Sequence, residues 1–201
     1  RCKRGERMIR EPKIKKGFIT YLASILAISF SLLLQPARAN TVEKTITLIG
    51  KDGSKLEVAK IILTPQENKT HSFEIKWDDS KFSEHFLSMR PFKCIDGPQT
   101  FCHLGYPYKT KNRISKSDLK DLEYGLLFIH KNEKEYGINF WNGVYYRLKR
   151  EENGTITGTV WETDMNELAS PPEKEFDRPI GGSDLVEGAE GKHRFPKIII
   201  Q

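Results

Sequence analysis

Val144-Tyr145-Tyr146-Arg147-Leu148-Lys149-Arg150-Glu151-Glu152-Asn153-Gly154-Thr155-Ile156-Thr157-Gly158-Thr159-Val160-Trp161, residues 144–161, is the stretch from which the fold is read. Two alternating runs, Val144 to Lys149 and Thr155 to Trp161, flank a turn signal at Asn153-Gly154. Alternation with period two is the mark of a strand with one buried face. A two-residue loop would set Val144, Tyr146 and Leu148 beside Thr155, Thr157 and Thr159, mixing apolar with polar. A three-residue loop, Glu152-Asn153-Gly154, with Gly154 left-handed in a bulge, pairs Tyr146 with Val160 and Leu148 with Gly158 instead. The second register is adopted because it keeps one face apolar. That face carries Trp141, Val144, Tyr146, Leu148, Ile156 and Val160. The other carries Tyr136, Ile138, Phe140, Tyr145, Arg147 and Trp161, too aromatic for a bare solvent face.

Working outward, Leu126 to His130 and Tyr136 to Trp141 read as two further strands, with Asn142-Gly143 as a second tight hairpin pairing Trp141 with Val144. Upstream, Ile46, Leu48, Leu56 and Val58 alternate about a Lys51-Asp52-Gly53 turn, and Phe73, Ile75 and Trp77 alternate with Glu74 and Lys76. Phe82, His85, Phe86 and Met89 fit a strand or a helical stripe equally. Ser117-Asp118 caps one short helix with Leu119, Leu122 and Leu126 on one side. After Trp161 the chain loosens around Pro171-Pro172, Pro179 and Gly181-Gly182, then ends in an apolar run, Phe195 to Ile200, which predicts a terminal strand paired within the sheet. The expected architecture is mostly β: a single antiparallel β domain, its meander forming a sandwich or open barrel, with one or two short helices.

The first sixteen residues are rich in Lys and Arg, and Gly17 to Leu34 is an apolar run without a charge. Gln35-Pro36 breaks it, and Ala37-Arg38-Ala39 supplies small residues at the positions a signal peptidase accepts. Residues 1–39 therefore read as a signal peptide, with 1–7 an upstream extension, and residues 40–201 as the exported domain. The run is just long enough to span a bilayer, but Thr20, Ser24, Ser29, Ser31 and the cleavage box argue against a retained anchor. No Cys follows the box, which speaks against a lipoprotein. The expected destination is the periplasm or the exterior, with cleavage near Ala39 and no stable membrane anchor afterwards.

The leader also explains the basic charge of the chain. It holds 9 Lys and Arg against 2 Asp and Glu of the totals of 33 and 27, which leaves 24 against 25 and a net charge of −1 in residues 40–201. Nucleic-acid binding draws on a surplus of cations, so no nucleic-acid partner is expected. Cys94 and Cys102, eight apart around a Gly97-Pro98 turn, are the only cysteines of the exported part. An even pair in an exported chain reads as a disulfide. The spacing is not Cys-x-x-Cys, and with only His103 adjacent the pair falls short of a zinc ligand set.

Several blocks look familiar together: Phe86-Leu87-Ser88-Met89-Arg90-Pro91-Phe92-Lys93-Cys94, Cys102-His103, Tyr106-Pro107-Tyr108, Asp121-Leu122-Glu123-Tyr124, Tyr136-Gly137-Ile138-Asn139, Trp141-Asn142-Gly143-Val144-Tyr145-Tyr146 and Asp164-Met165-Asn166. Over residues 73–200 the chain resembles a family of small exported proteobacterial proteins. The resemblance implies a Gram-negative periplasmic home and brings no activity, cofactor or functional residue with it.

No His-Glu-x-x-His, Gly-x-Ser-x-Gly or P-loop occurs, so no catalytic residue, metal or cofactor is assigned. The candidate binding residues are Arg90, Lys93, His103, Tyr106, Tyr108 and Arg147. The Cys94–Cys102 bridge would gather the first five into one loop, with Phe92 and Phe101 covering the aromatic sheet face. Aromatic rings edged by cations suit an anionic or sugar-like ligand, or an envelope protein partner. The alternative is a hydrolase built on Glu162, Asp164 and a histidine. Its mark would be an acidic pair facing that histidine across a pocket.

Overall fold

A computed structural model describes residues 40–201 except Met89 and Glu190; residues 1–39, which read as a signal peptide in the sequence, lie outside the described residues. In chain order the strands are β1 (Val42–Ile49), β2 (Lys55–Pro65), β3 (His71–Trp77), β4 (Ser83–Phe86), β5 (Pro91–Ile95), β6 (Gln99–His103), β7 (Arg113–Ile114), β8 (Phe128–Asn132), β9 (Gly143–Arg150), β10 (Ile156–Thr163), β11 (Val186–Glu187) and β12 (Lys197–Ile200). One α-helix, α1 (Lys120–Gly125), precedes β8.

The β9–β10 hairpin has the expected register, Tyr146 opposite Val160 and Leu148 opposite Gly158. Gly154 stands at φ 82° and donates its N–H to the Glu151 carbonyl at 3.0 Å, as the bulged turn requires. Gly158 is glycine for a different reason. A Cβ there would lie 2.7 Å from the side chains of both Leu148 and Ile198.

The second expected hairpin does not form. Tyr136 to Trp141 is irregular, Phe140–Asn142 makes a 3-10 turn capped by the Asn139 side chain, and Gly143 is the first residue of β9 at φ −71°. Gly143 serves close approach rather than turning, because a Cβ would lie 2.4 Å from the Thr163 carbonyl oxygen. The strand that pairs with β9 on the side away from β10 is β8, through Phe128 opposite Val144 and Ile129 opposite Gly143. Trp141 accordingly leaves the core face and is 70% exposed, and Tyr136 is fully exposed.

The strands form one antiparallel sheet in the order β4-β5-β6-β8-β9-β10-β12-β1-β2-β3-β7, with β11 on the outer end of β10. β12 is the seam. Ile198 and Ile200 are fully buried, and the strand pairs β10 on one side and β1 on the other, joining the N-terminal strands to the meander. The sheet does not close, but it curls: Trp77 of β3 packs 4.2 Å from the His103 ring of β6 and edge-on to Phe128 of β8 at 5.8 Å. Strands far apart in sheet order thus face each other across a shared core of Ile46, Ile61, Phe101, Phe128, Val144 and Tyr146. The helix closes one end of that core with Leu119, Leu122 and Leu126, and Asp118 accepts the Lys120 N–H at its start at 3.0 Å.

The opposite sheet face is aromatic as expected, but its cover is not the disulfide loop. Residues 91–103 are strands β5 and β6, lying in the sheet beside β8. Side chains alternate along a strand, so Cys94, Cys102 and Phe92 share the outer face with Ile129 and Tyr145. Phe101 points inward and stacks on Phe128 at 4.5 Å. The cover comes from the segment after β10, through Met165, Leu168 and Ile180. Helix α1 ties that segment down. The Tyr124 hydroxyl accepts the Ile180 N–H at 2.7 Å, and Arg178 donates to Asp121 at 2.8 Å. Glu123, also buried, accepts from the Tyr145 hydroxyl and from the Leu148 N–H at 2.7 Å.

Candidate functional site

The curl that brings β3 to β6 leaves a cleft of about 290 Å3 between them. Its floor is set by alternation on β3, which points Phe73, Ile75 and Trp77 the same way. The end of β6 and the segment following it form the facing wall, with His103 from the strand and Tyr106 and Tyr108 from the segment. Asn112 and Gly125 lie at the lining as well. Asn112 stands at φ 49°, and its carbonyl accepts the Phe73 N–H at 2.9 Å, which ties the wall to the floor.

His103 is held between the Trp77 ring and the Gly125 carbonyl, to which Nε2 donates at 3.2 Å. Burial pushes its pKa down to about 4; the carbonyl opposes this and the charge of Lys93 adds to it. At neutral pH the imidazole is uncharged, and because Nε2 carries the proton, Nδ1 is left as an acceptor. The two tyrosines spend their hydroxyls on the main chain of the covering segment, Tyr106 on Asp177 at 3.1 Å and Tyr108 on Leu168 at 3.0 Å. Their rings meet edge-on at 5.5 Å, and Tyr106 stands edge-on to Tyr124 at 4.7 Å. Burial, then the neighbouring Tyr108 and Asp177, raise the Tyr106 pKa. Asp121 reaches the lining but is paired with Arg178 and accepts the Arg113 N–H at 3.1 Å. Glu74 is the one exposed charge there.

Of the six residues singled out in the sequence, His103, Tyr106 and Tyr108 converge and the three cations do not. Arg90 is exposed over the Phe92 ring at 5.2 Å. Lys93 stands opposite His103 in the β5–β6 register, but its ammonium pairs with Asp79 at 2.6 Å. Arg147 lies on the outer face, over the Trp161 ring at 4.9 Å. Sequence reasoning placed Phe73, Ile75 and Trp77 on one strand face without assigning them to a site. The missing information was the curl, which depends on contacts between residues far apart in sequence.

Cys94 and Cys102 face each other across β5 and β6 at disulfide-bonding distance. Both are buried, and they fix the hairpin whose end carries His103.

The carboxylate pair of the hydrolase reading separates. Asp164 caps a 3-10 turn by accepting from the Asn166 backbone and side chain at 2.8 and 2.7 Å. Glu162 accepts from His193 at 2.9 Å and from Lys192 at 2.7 Å. Burial pushes Glu162 up, but these two partners prevail and hold it below its ordinary value. His193 is buried and stands edge-on to buried His130 at 5.2 Å. It is the histidine that pairs with the carboxylate. Among the described residues, Glu162, Asp164, His130 and His193 line none of the principal clefts. Among the described residues no three His, Cys, Asp or Glu side chains converge in a way that could hold a metal ion.

The cleft therefore offers an aromatic floor and wall, an uncharged imidazole acceptor and no cation among its lining residues. Such a surface takes up a flat or sugar-like ring by stacking and shape. No family model, curated protein or solved structure matches the chain.

Proposed function

We propose that the chain is an exported binding module whose β3–β6 cleft takes an uncharged ring, a sugar being the class that fits best. The observation that supports this most is the convergence of Trp77, His103, Tyr106 and Tyr108 without an accompanying Lys or Arg. An anionic ligand would need compensating charge at a site this size, and the lining has only Glu74 and the paired Asp121. Export to the periplasm or exterior, and kinship with the exported proteobacterial family, are parts of the same proposal. They rest on the pattern of residues 1–39, the Cys94 and Cys102 pair and the sequence blocks quoted above. Among the described residues no helix is long and apolar enough to cross a membrane.

The test is a neutral-saccharide array followed by calorimetric titration of the hits against the native chain, Trp77→Ala and His103→Gln. Loss of a stacking ring should weaken binding by about tenfold, the equivalent of one aromatic contact. His103→Gln keeps a donor for Gly125 and should change selectivity with less loss. Hits that bind both variants as tightly as the native chain would overturn the assignment.

A further inference from the structure

A second cleft, of about 580 Å3, opens at the other end of the sheet, where the β1–β2 turn, the β5–β6 turn and the segment before β12 meet. We propose that it is an oxyanion site, built for a phosphate group carried on a small molecule or a lipid head. Its lining includes Lys51, Lys55, Lys192 and Arg194 against one carboxylate, Asp52. That concentration stands out in a domain whose net charge is −1.

Arg194 is positioned rather than merely present. Its Nη1 donates to the carbonyls of Asp96 at 2.7 Å, Gln99 at 3.3 Å and Ile95 at 3.4 Å. Its guanidinium also lies over the Phe195 ring at 4.8 Å. Gly97 makes room for it, since a Cβ there would lie 2.4 Å from Nη1. Gln99, itself buried, clamps the same segment by accepting the Arg194 N–H at 2.8 Å and donating to the Lys192 carbonyl at 3.2 Å. With one edge of the fork anchored, Nε and Nη2 have no acceptor among the described residues. A held guanidinium with a free edge is the geometry that receives an oxyanion, and ordering it in advance removes an entropy cost from binding.

The lysines complete the charge. Lys51 donates its main-chain N–H to the Arg194 carbonyl at 3.0 Å, which docks the β1–β2 turn onto the clamp. The ammonium groups of Lys51 and Lys55 have no carboxylate partner among the described residues, whereas Lys192 is paired with Glu162. Asp52 offsets one of these charges: its carboxylate accepts the Ser54 N–H at 3.0 Å, and Ser54 first, with the charge of Arg194 adding to it, holds its pKa below the ordinary value. With Asp52 set against Lys51, Lys55 and Arg194, and Lys192 paired outside the lining, the cleft keeps a surplus of two positive charges. That favours a doubly charged phosphate over a single carboxylate. Gln99 and Asn132 border the same space and leave room for more than the phosphate itself.

The experiment is a 15N-NMR titration of the full chain with inorganic phosphate and pyrophosphate, against sodium chloride at matched ionic strength, together with co-flotation on phosphatidic acid vesicles. Saturable shifts at Lys51, Ser54, Gln99 and Arg194 with the phosphates but not with chloride are expected. The Lys51→Gln/Lys55→Gln double variant, altered only at two exposed side chains in the β1–β2 turn and at the start of β2, should bind at least about tenfold more weakly, one charge-assisted contact being worth that factor. Flotation lost in the double variant assigns a lipid head as the source. Phosphate shifts without flotation assign a soluble phosphate compound. Shifts matched by chloride, or binding that survives in the double variant, would overturn the site.

Discussion

Acidification should destabilise the domain through two buried histidines, and the size of the effect follows from their surroundings. Burial pushes His103 from 6.5 to about 4, with the Gly125 carbonyl opposing and Lys93 assisting. Burial likewise pushes His130 to about 4; His193 and Lys192 assist, while Glu135 and Glu162 oppose. In the unfolded chain both titrate near their ordinary value, so between pH 6.5 and 4 the unfolded state binds protons that the folded state refuses. Stability is complete above that window and is lost as pH falls through it. Each histidine contributes on the order of 3 kcal/mol over the whole window, from about 1.4 kcal/mol per pKa unit. Together they rival the total stability of an ordinary domain, about 5–15 kcal/mol. Glu162, held below its ordinary value, adds a loss of the same sign beneath its unfolded pKa near 4.5, and so leaves the upper part of the window to the histidines. Urea denaturation of the native chain at steps from about pH 8 to pH 4 measures the slope, which should approach about 1.4 kcal/mol per pH unit per histidine near pH 5. His103→Gln and His130→Gln should each remove one proton's worth of that slope. Variants that keep the full native slope between pH 6.5 and 5 would refute the reasoning.

Two further predictions concern what holds the cleft in place. Cys94→Ser with Cys102→Ser should lower the unfolding free energy by about 2–3 kcal/mol, from the loop-closure estimate for so short a loop, read as a shift in urea midpoint at constant slope; an unchanged midpoint would show that the hairpin is fixed by strand pairing alone. Glu123→Ala strands the Tyr145 hydroxyl and the Leu148 N–H in the interior, and should cost about 2–4 kcal/mol by the penalty for buried unpaired polar groups, whereas a loss below about 0.5 kcal/mol, the size of an ordinary surface change, would contradict the network.

The legible parts of the fold were those decided by local chemistry. The Asn153-Gly154 bulge could be chosen over a two-residue loop because only one register kept Tyr146, Leu148 and Val160 on an apolar face. The leucines of α1 and the terminal strand were legible from periodicity for the same reason. Asn142-Gly143 looked like the same kind of signal and was not. Its glycine answers a close approach to Thr163, a contact with no trace in the neighbouring residues. The site was half legible. His103, Tyr106 and Tyr108 were drawn together in advance, but the bridge was expected to fold a loop over the sheet, and it instead joins two of the sheet's own strands. Arg90, Lys93 and Arg147 dispersed because each found a nearer ring or carboxylate, which spacing along the chain does not encode. Trp77 entered the site, and Arg194 its cationic counterpart, only through tertiary contacts.

The central claim is that the β3–β6 cleft is where a ligand sits, and a fragment screen by 15N-NMR with uncharged ring compounds and monosaccharides tests it most directly. The account predicts saturable shifts concentrated on the Trp77 indole N–H and the Gly105, Tyr106 and Gly125 amides, the groups that border the cleft. A screen whose hits shift residues elsewhere, such as the exposed Trp141 and Tyr136, and leave those four signals unmoved would contradict it.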